Sequence, residues 1–247
     1  MSFLYAFVSV FIVSAISLIG VVALWLNTTF LKKILLFLVS FSAGALFGDA
    51  FLHLLPEAIA EHWFTLVVSL SLLWGIVFWL VTEKVIRRNH CHMPITKTHV
   101  HPVATMNLVW DMVHNFIDGL IIGASYLVSI PLGIATTLAV VLHEIPQEIW
   151  DFGVLVHGWY SKKKALLMNF LTALTAIVGL IVAFVLYTYI QNIVVFLIPF
   201  AAGTFIYIAG SDLIPELHKE NKISQSLPQI FFFLLGIGLM ATLLFLG

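Results

Sequence analysis

None of the eleven lysines and arginines of this chain falls inside the eight long apolar stretches that divide it. Those stretches run roughly 4–26, 34–56, 64–81, 103–127, 132–157, 165–187, 193–213 and 227–246. Each has about the length a helix needs to cross a hydrocarbon core of roughly 30 Å. Lipid offers backbone amides no partner, so segments of this kind have to be helices that satisfy their own hydrogen bonds. Composition agrees: 62% of the 247 residues are hydrophobic and 9% are charged, against about 25% charged in a soluble domain. The expected fold is therefore an all-α polytopic membrane protein of eight transmembrane helices, a single domain over residues 1–247 with the lipid bilayer as its solvent. A water-soluble helical bundle would have to hide eight such stretches in succession, which argues against it. No broad basic surface for nucleic acid is present.

The cations set the orientation. Lys32 and Lys33 follow span one, and Lys84, Arg87, Arg88 and Lys97 follow span three. Lys162, Lys163 and Lys164 follow span five, and Lys219 and Lys222 follow span seven. The even-numbered loops and both termini have none. By the positive-inside rule the odd loops face the cytoplasm and both termini lie outside, as in a multi-pass protein of the cell membrane. The first apolar stretch lacks a basic leader and a small-residue cleavage site, and it reads as a retained span. The loop 82–102 holds His90, His92, His99 and His101 beside Cys91, the single cysteine. It reads either as a solvated linker or as a weak cytoplasmic metal-binding tract.

Two segments repeat. Phe41-Ser-Ala-Gly44 matches Phe200-Ala-Ala-Gly203, and His53-Leu-Leu-Pro-Glu57 matches Asp212-Leu-Ile-Pro-Glu216. Both matches fall at one offset, Phe41 to Phe200 and His53 to Asp212. Spans two and seven cross in opposite directions, so the expected architecture is an inverted repeat. Spans one to three pair with six to eight, and spans four and five form an insert, a 3+2+3 arrangement suited to alternating access.

The chemistry concentrates in spans four and five. Asp111, His114 and Asp118 follow one another at i, i+3 and i+7, one stripe of a helix, with Asn115 beside His114. Glu144, Glu148 and Asp151 make a second stripe, and His143 and Gln147 an adjacent pair. Pro146 has no N–H to donate, which frees the carbonyl of Leu142 for an ion or a water. Carboxylates inside a membrane are costly, and they face a bundle interior, a cation, a proton or a water path. Carboxylate oxygens mixed with imidazole nitrogens suit Zn²⁺, with Fe²⁺, Mn²⁺, Co²⁺ or Cd²⁺ as competitors. Mg²⁺ and Ca²⁺ prefer all-oxygen shells. Further metal candidates are Asp49 and His53 in span two, Asn169 near the start of span six, and Asp212 at the end of span seven. They read as entrance and exit positions.

His114-Asn-Phe-Ile-Asp118-Gly119 and His143-Glu-Ile-Pro-Gln-Glu148 resemble the signature helices of the ZIP family of divalent-metal transporters. Ile149-Trp-Asp-Phe-Gly-Val-Leu155 resembles its LIV-1 branch. The resemblance extends to 48–56 and 202–212, so it reaches nearly the whole chain. It implies eight spans in 3+2+3 order, outward termini, a His-bearing loop after span three, a homodimer, and movement of Zn²⁺ (in some members iron, manganese or cadmium) toward the cytoplasm. It also implies a two-metal centre from His114, Asn115 and Asp118 of span four and His143, Glu144 and Gln147 of span five. Asn169 would stand alongside, with Glu144 as the bridge. Gln147 stands where LIV-1 members usually have histidine, which weakens the second metal position or alters ion preference, and Trp150 stands where they usually have glycine, which adds bulk to a helix that has to move. The chain also reads as compact, without a large external domain.

The functional expectation is a zinc importer working by alternating access, a transporter and not an enzyme, with the metal as cargo. A channel-like selective pore is the alternative, as is iron, manganese or cadmium as main substrate. An intramembrane zinc protease fits poorly, because Pro146 and Gln147 break any HExxH pattern. A non-transporting metal sensor is a further reading.

Overall fold

A computed structural model describes residues 1–20, 28–62, 65–87, 102–157, 160–190, 192–219 and 223–246. The helices are α1 Ser2–Ile16, α2 Thr28–Asp49, α3 Leu55–His62, α4 Leu66–Arg87, α5 Pro102–Val128 and α6 Ile130–His157. They continue with α7 Lys162–Ala173, α8 Thr175–Tyr189, α9 Ile193–Tyr207, α10 Ile214–Leu217 and α11 Ile223–Leu243. No strand occurs among the described residues. Among the described residues, seven helical runs are long and apolar enough to cross a membrane: Ser2–Ile19, Ile34–Ala60, Leu66–Val85, Ile130–Val156, Lys162–Tyr189, Ile193–Leu217 and Ser226–Leu243. The remaining long helix, α5, has the length but carries Asn107, Asp111, His114, Asn115 and Asp118. The chain is an all-α, multi-pass membrane protein. The distribution of side chains agrees. Phe11, Leu70, Trp74, Val178 and Phe231 point outward, while Asp49, Asp111, Asp118, Glu144 and Glu148 are fully buried. An apolar exterior around a polar interior is what a bilayer requires.

Packing sorts the helices into two groups. α2 lies along α11, and α4 along α9. α5 lies along α8 and α6, with α1 against all three. The contact of α2 with α6 is the main seam between the groups. Three of these crossings are backbone against backbone. A Cβ on Gly44 would stand 2.0 Å from the Phe233 carbonyl oxygen, and one on Gly236 would stand 2.2 Å from that of Phe41. Gly75 meets the Phe200 carbonyl and Gly203 that of Leu72 in the same reciprocal way, as do Gly119 with Ala176 and Gly179 with Phe116. In lipid no hydrophobic force drives helices together, so such close approach supplies the packing.

Two local departures from α geometry matter for the interior. The turns Ala50–Leu54 and Ile208–Leu213 are π-helical. Each ends just before a proline, Pro56 and Pro215, which lacks the N–H that would close the ladder. Pro146 lies inside α6, and the carbonyl it frees is not left open: the Ser42 hydroxyl of α2 donates to Leu142 O at 2.6 Å. A side chain from across the seam fills the role assigned above to an ion or water.

Some boundaries differ from those read in the sequence. α4 continues past Val81 to Arg87, so Lys84 rides on the helix. α5 and α6 are parted by Ser129 alone. The Ser129 hydroxyl accepts from Leu132 N at 3.2 Å, an N-cap, and Pro131 sits in the first turn, where its missing N–H costs nothing. The histidines and Cys91 of the loop after span three lie outside the described residues.

Candidate metal centre

α5 and α6 are adjacent helices joined by one residue, and their polar stripes turn toward each other. Four side chains converge: His114 and Asp118 of α5, and His143 and Glu144 of α6, all buried, with one donor atom of each within 4.8 Å of every other. The edges of this figure are short. Nε2 of His114 lies 3.1 Å from Nε2 of His143. Asp118 Oδ2 is 3.4 Å from both ring nitrogens. Glu144 Oε1 is 3.3 Å from His114 and 3.5 Å from His143. A tetrahedral ion with bonds of about 2.0–2.1 Å holds its ligands about 3.3 Å apart. The observed edges span that value.

Tautomer chemistry explains why these atoms gather. His143 Nδ1 faces the Ala139 carbonyl at 3.1 Å, and a carbonyl only accepts, so the proton sits on Nδ1. Its Nε2 then presents a lone pair to the cluster. Both carboxylate groups also present lone pairs, and no serine, threonine or backbone donor reaches them. The buried His₂–carboxylate₂ set is able to coordinate a divalent metal ion.

Around it runs a network of amides and hydroxyls. Asn115 Nδ2 donates to Asp111 Oδ1 at 2.8 Å, and the Thr172 hydroxyl donates to the other oxygen of Asp111. Asn169 Nδ2 donates to Glu148 Oε2. Asn107 Nδ2 donates to Asp151 Oδ1 at 3.0 Å. Asn169 is not a helix cap, since Ser161 accepts from Lys164 N and caps α7. Buried atoms without a hydrogen-bond partner in this layer are Asn115 Oδ1, Asn169 Oδ1, Glu148 Oε1 and Asp151 Oδ2.

The structure thus divides the expected residues. His114, Asp118, His143 and Glu144 form the cluster. Asn115, Glu148 and Asn169 are buried outside it: Asn115 is bonded to Asp111, and Asn169 to Glu148. Gln147 is only partly buried and lies beside Asp151. Asp49 is fully buried at the end of α2, beside Thr136 of α6. His53 is engaged through Nε2 with Met240 O at 2.9 Å, and Asp212 lies partly buried in the second π-turn. Thr172, Asn107 and Ser42 were not singled out from sequence. Hydroxyls and amides on apolar helices carry no periodic signal of their partner.

The family model described as "ZIP Zinc transporter" matches residues 2–107 and 89–244. The chain belongs to the ZIP family. Its signature helices place it in the LIV-1-like branch. It is 31% identical over 276 residues to the zinc transporter zipt-7.2 of Caenorhabditis elegans, covering 87% of this chain and 59% of that protein. It is 32% identical over 286 residues to zinc transporter zipt-7.1 of Caenorhabditis briggsae, covering 87% and 71%. Against zinc transporter ZIP13 of Danio rerio the identity is 31% over 269 residues, covering 86% and 76%. The chain thus spans between about three fifths and three quarters of these relatives' lengths. The family is one of transporters and not of enzymes.

Proposed function

We propose that this ZIP-family chain carries divalent transition-metal ions across a cell membrane, zinc foremost, and delivers them to the cytoplasm by alternating access. The observation that carries the reading is the set of ligand edges among His114, Asp118, His143 and Glu144, which match a tetrahedral ion with two imidazole and two carboxylate ligands. Borderline nitrogen and hard oxygen ligands without thiolate favour Zn²⁺ over Cu⁺, and imidazole disfavours Mg²⁺ and Ca²⁺. The ion leaves its water shell for this cluster. Glu144 Oε2 remains without a hydrogen-bond partner, which supports a bridging role toward a second ion near Asn115, Glu148 and Asn169.

The repeated segments support the conformational half of the proposal. Gly44 and Gly203 occupy matching places in the repeat, and each sits at a backbone crossing, on α11 and α4 respectively. The two π-turns precede the matching Pro-Glu pairs. Halves of opposite orientation, built alike, give two states of similar energy that expose one site to either face. With cations confined to the odd loops, the proposed orientation has both termini outside.

The test is metal uptake by the purified chain in vesicles, with Zn²⁺, Fe²⁺, Mn²⁺ and Cd²⁺ in competition. The expected result is saturable Zn²⁺ uptake that the other ions inhibit and that His114→Ala and Glu144→Ala abolish. Uptake that survives both substitutions would remove the cluster from the path.

A further inference from the structure

The four-residue cluster has a neighbour that does not ligate. Trp79 of α4 is fully buried. Its indole ring lies 5.1 Å from the His114 ring and 4.8 Å from the Trp110 ring, meeting the latter edge-on. Trp110 itself stands 6.5 Å from His114. Trp110 lies one turn from His114 toward the start of α5, the end at which α4 has just finished. The two indoles therefore lie against His114 on the side of the membrane where α4 ends and α5 begins.

The backbone of Trp79 belongs to the other group of helices. α4 is pinned to α9 at Gly75 and Gly203, where an added Cβ would stand 2.3 Å and 2.1 Å from the facing carbonyl oxygens. Against α5 it packs lightly. Trp79 thus reaches across a thin contact to lie on a ligand of the opposite group. Its indole N–H has no hydrogen-bond partner although it is buried. A buried donor left unsatisfied is costly and calls for a reason. A side chain that fills a passage in one state and meets water in another supplies one.

We infer that Trp79 is a gating side chain: its indole, edge-on to Trp110 and tilted against His114, shuts the metal cluster off from the membrane face at which α4 ends. This rests on the reading of the cluster as a transport site. It assigns Trp79 no ligand role. Movement of the two helix groups past each other withdraws the indole from His114 and opens the route.

Access to the cluster is measurable without transport. In a Cys91→Ser background, which removes the single native cysteine, Asp118→Cys places a thiol at the cluster. A membrane-impermeant methanethiosulfonate reagent is then applied to one face at a time, using right-side-out and everted vesicles. Reaction from the face where α4 ends is expected to be slow with Trp79 present. It should accelerate at least about tenfold with Trp79→Ala and about threefold with the gentler Trp79→Phe, which decides the matter if the alanine variant does not fold. Trp74→Ala, on the outward side of the same helix, should leave the rate unchanged. Equal rates with and without Trp79, or acceleration by Trp74→Ala as well, overturn the assignment. Zn²⁺ uptake by the unaltered chain is recorded in parallel. Failure there overturns the transport reading, while the thiol rates still decide whether the indole shuts the route.

Discussion

His114, Asp118, His143 and Glu144 hold their donor atoms at the separations a tetrahedral ion imposes, so loss of one ligand should be felt as affinity. His114→Ala is expected to weaken Zn²⁺ binding on the order of a hundredfold, at or above the loss caused by removing a supporting hydrogen bond. Isothermal titration on the detergent-solubilised chain would measure it. Protons and metal compete for the same imidazole and carboxylate lone pairs, so binding should weaken as pH falls. Titrations at about pH 7.5 and about pH 5.5 check the sign. Gln147→His should raise affinity, about tenfold if the added imidazole turns inward, because an imidazole nitrogen is a better zinc ligand than an amide oxygen. At this scale the sequence was legible where helical periodicity placed residues on one stripe. His114 and Asp118 share one such stripe of α5, while His143 and Glu144 head two neighbouring stripes of α6. Which member of a stripe faces its opposite number was not legible: Asn115 turns to Asp111 and Glu148 to Asn169, and only side-chain packing decides this. Trp79 gave no sign at all, since a tryptophan among apolar neighbours is the ordinary case.

At the scale of the helix, the Ser42–Leu142 bond is the telling feature. Ser42→Ala leaves a buried carbonyl without a donor and should cost about 1–3 kcal/mol in stability. Pro146→Ala restores the N–H that closes α6 on itself, so in that background the same serine substitution should cost much less. Thermal unfolding of the four chains in detergent forms a double-mutant cycle that reads the coupling. Gly179→Ala should destabilise by about 1–3 kcal/mol, as overpacking does, because its Cβ would fall 1.9 Å from the Phe116 carbonyl oxygen. Helix existence was plain from apolar length, and the freed Leu142 carbonyl followed from Pro146. The donor that satisfies it could not be foreseen, because it comes from 100 residues away in sequence. The single-residue link at Ser129 was missed for a related reason: Pro131 reads as a breaker until it is seen in a first turn.

For the molecule as a whole, the placement of cations makes a topological prediction. In a Cys91→Ser background, a cysteine at Lys163 should react only with reagent on the cytoplasmic side, and one at Tyr189 only from outside. Reversed labelling would turn the proposed direction of transport around. That the chain is a bundle of long apolar helices was evident from the sequence, but their grouping was not, because apolar faces in lipid carry no address. The crossings at Gly44, Gly75 and Gly119 decide it. The seam between the groups runs beside the cluster, and Ser42 and Leu142 straddle it. Should α6 slip along α2, the Leu142 oxygen, one residue from His143, is stripped of its hydroxyl. At that depth a bare oxygen has only solvent or a passing cation to turn to, so the first step of opening also wets the doorway and offers the ion a handhold.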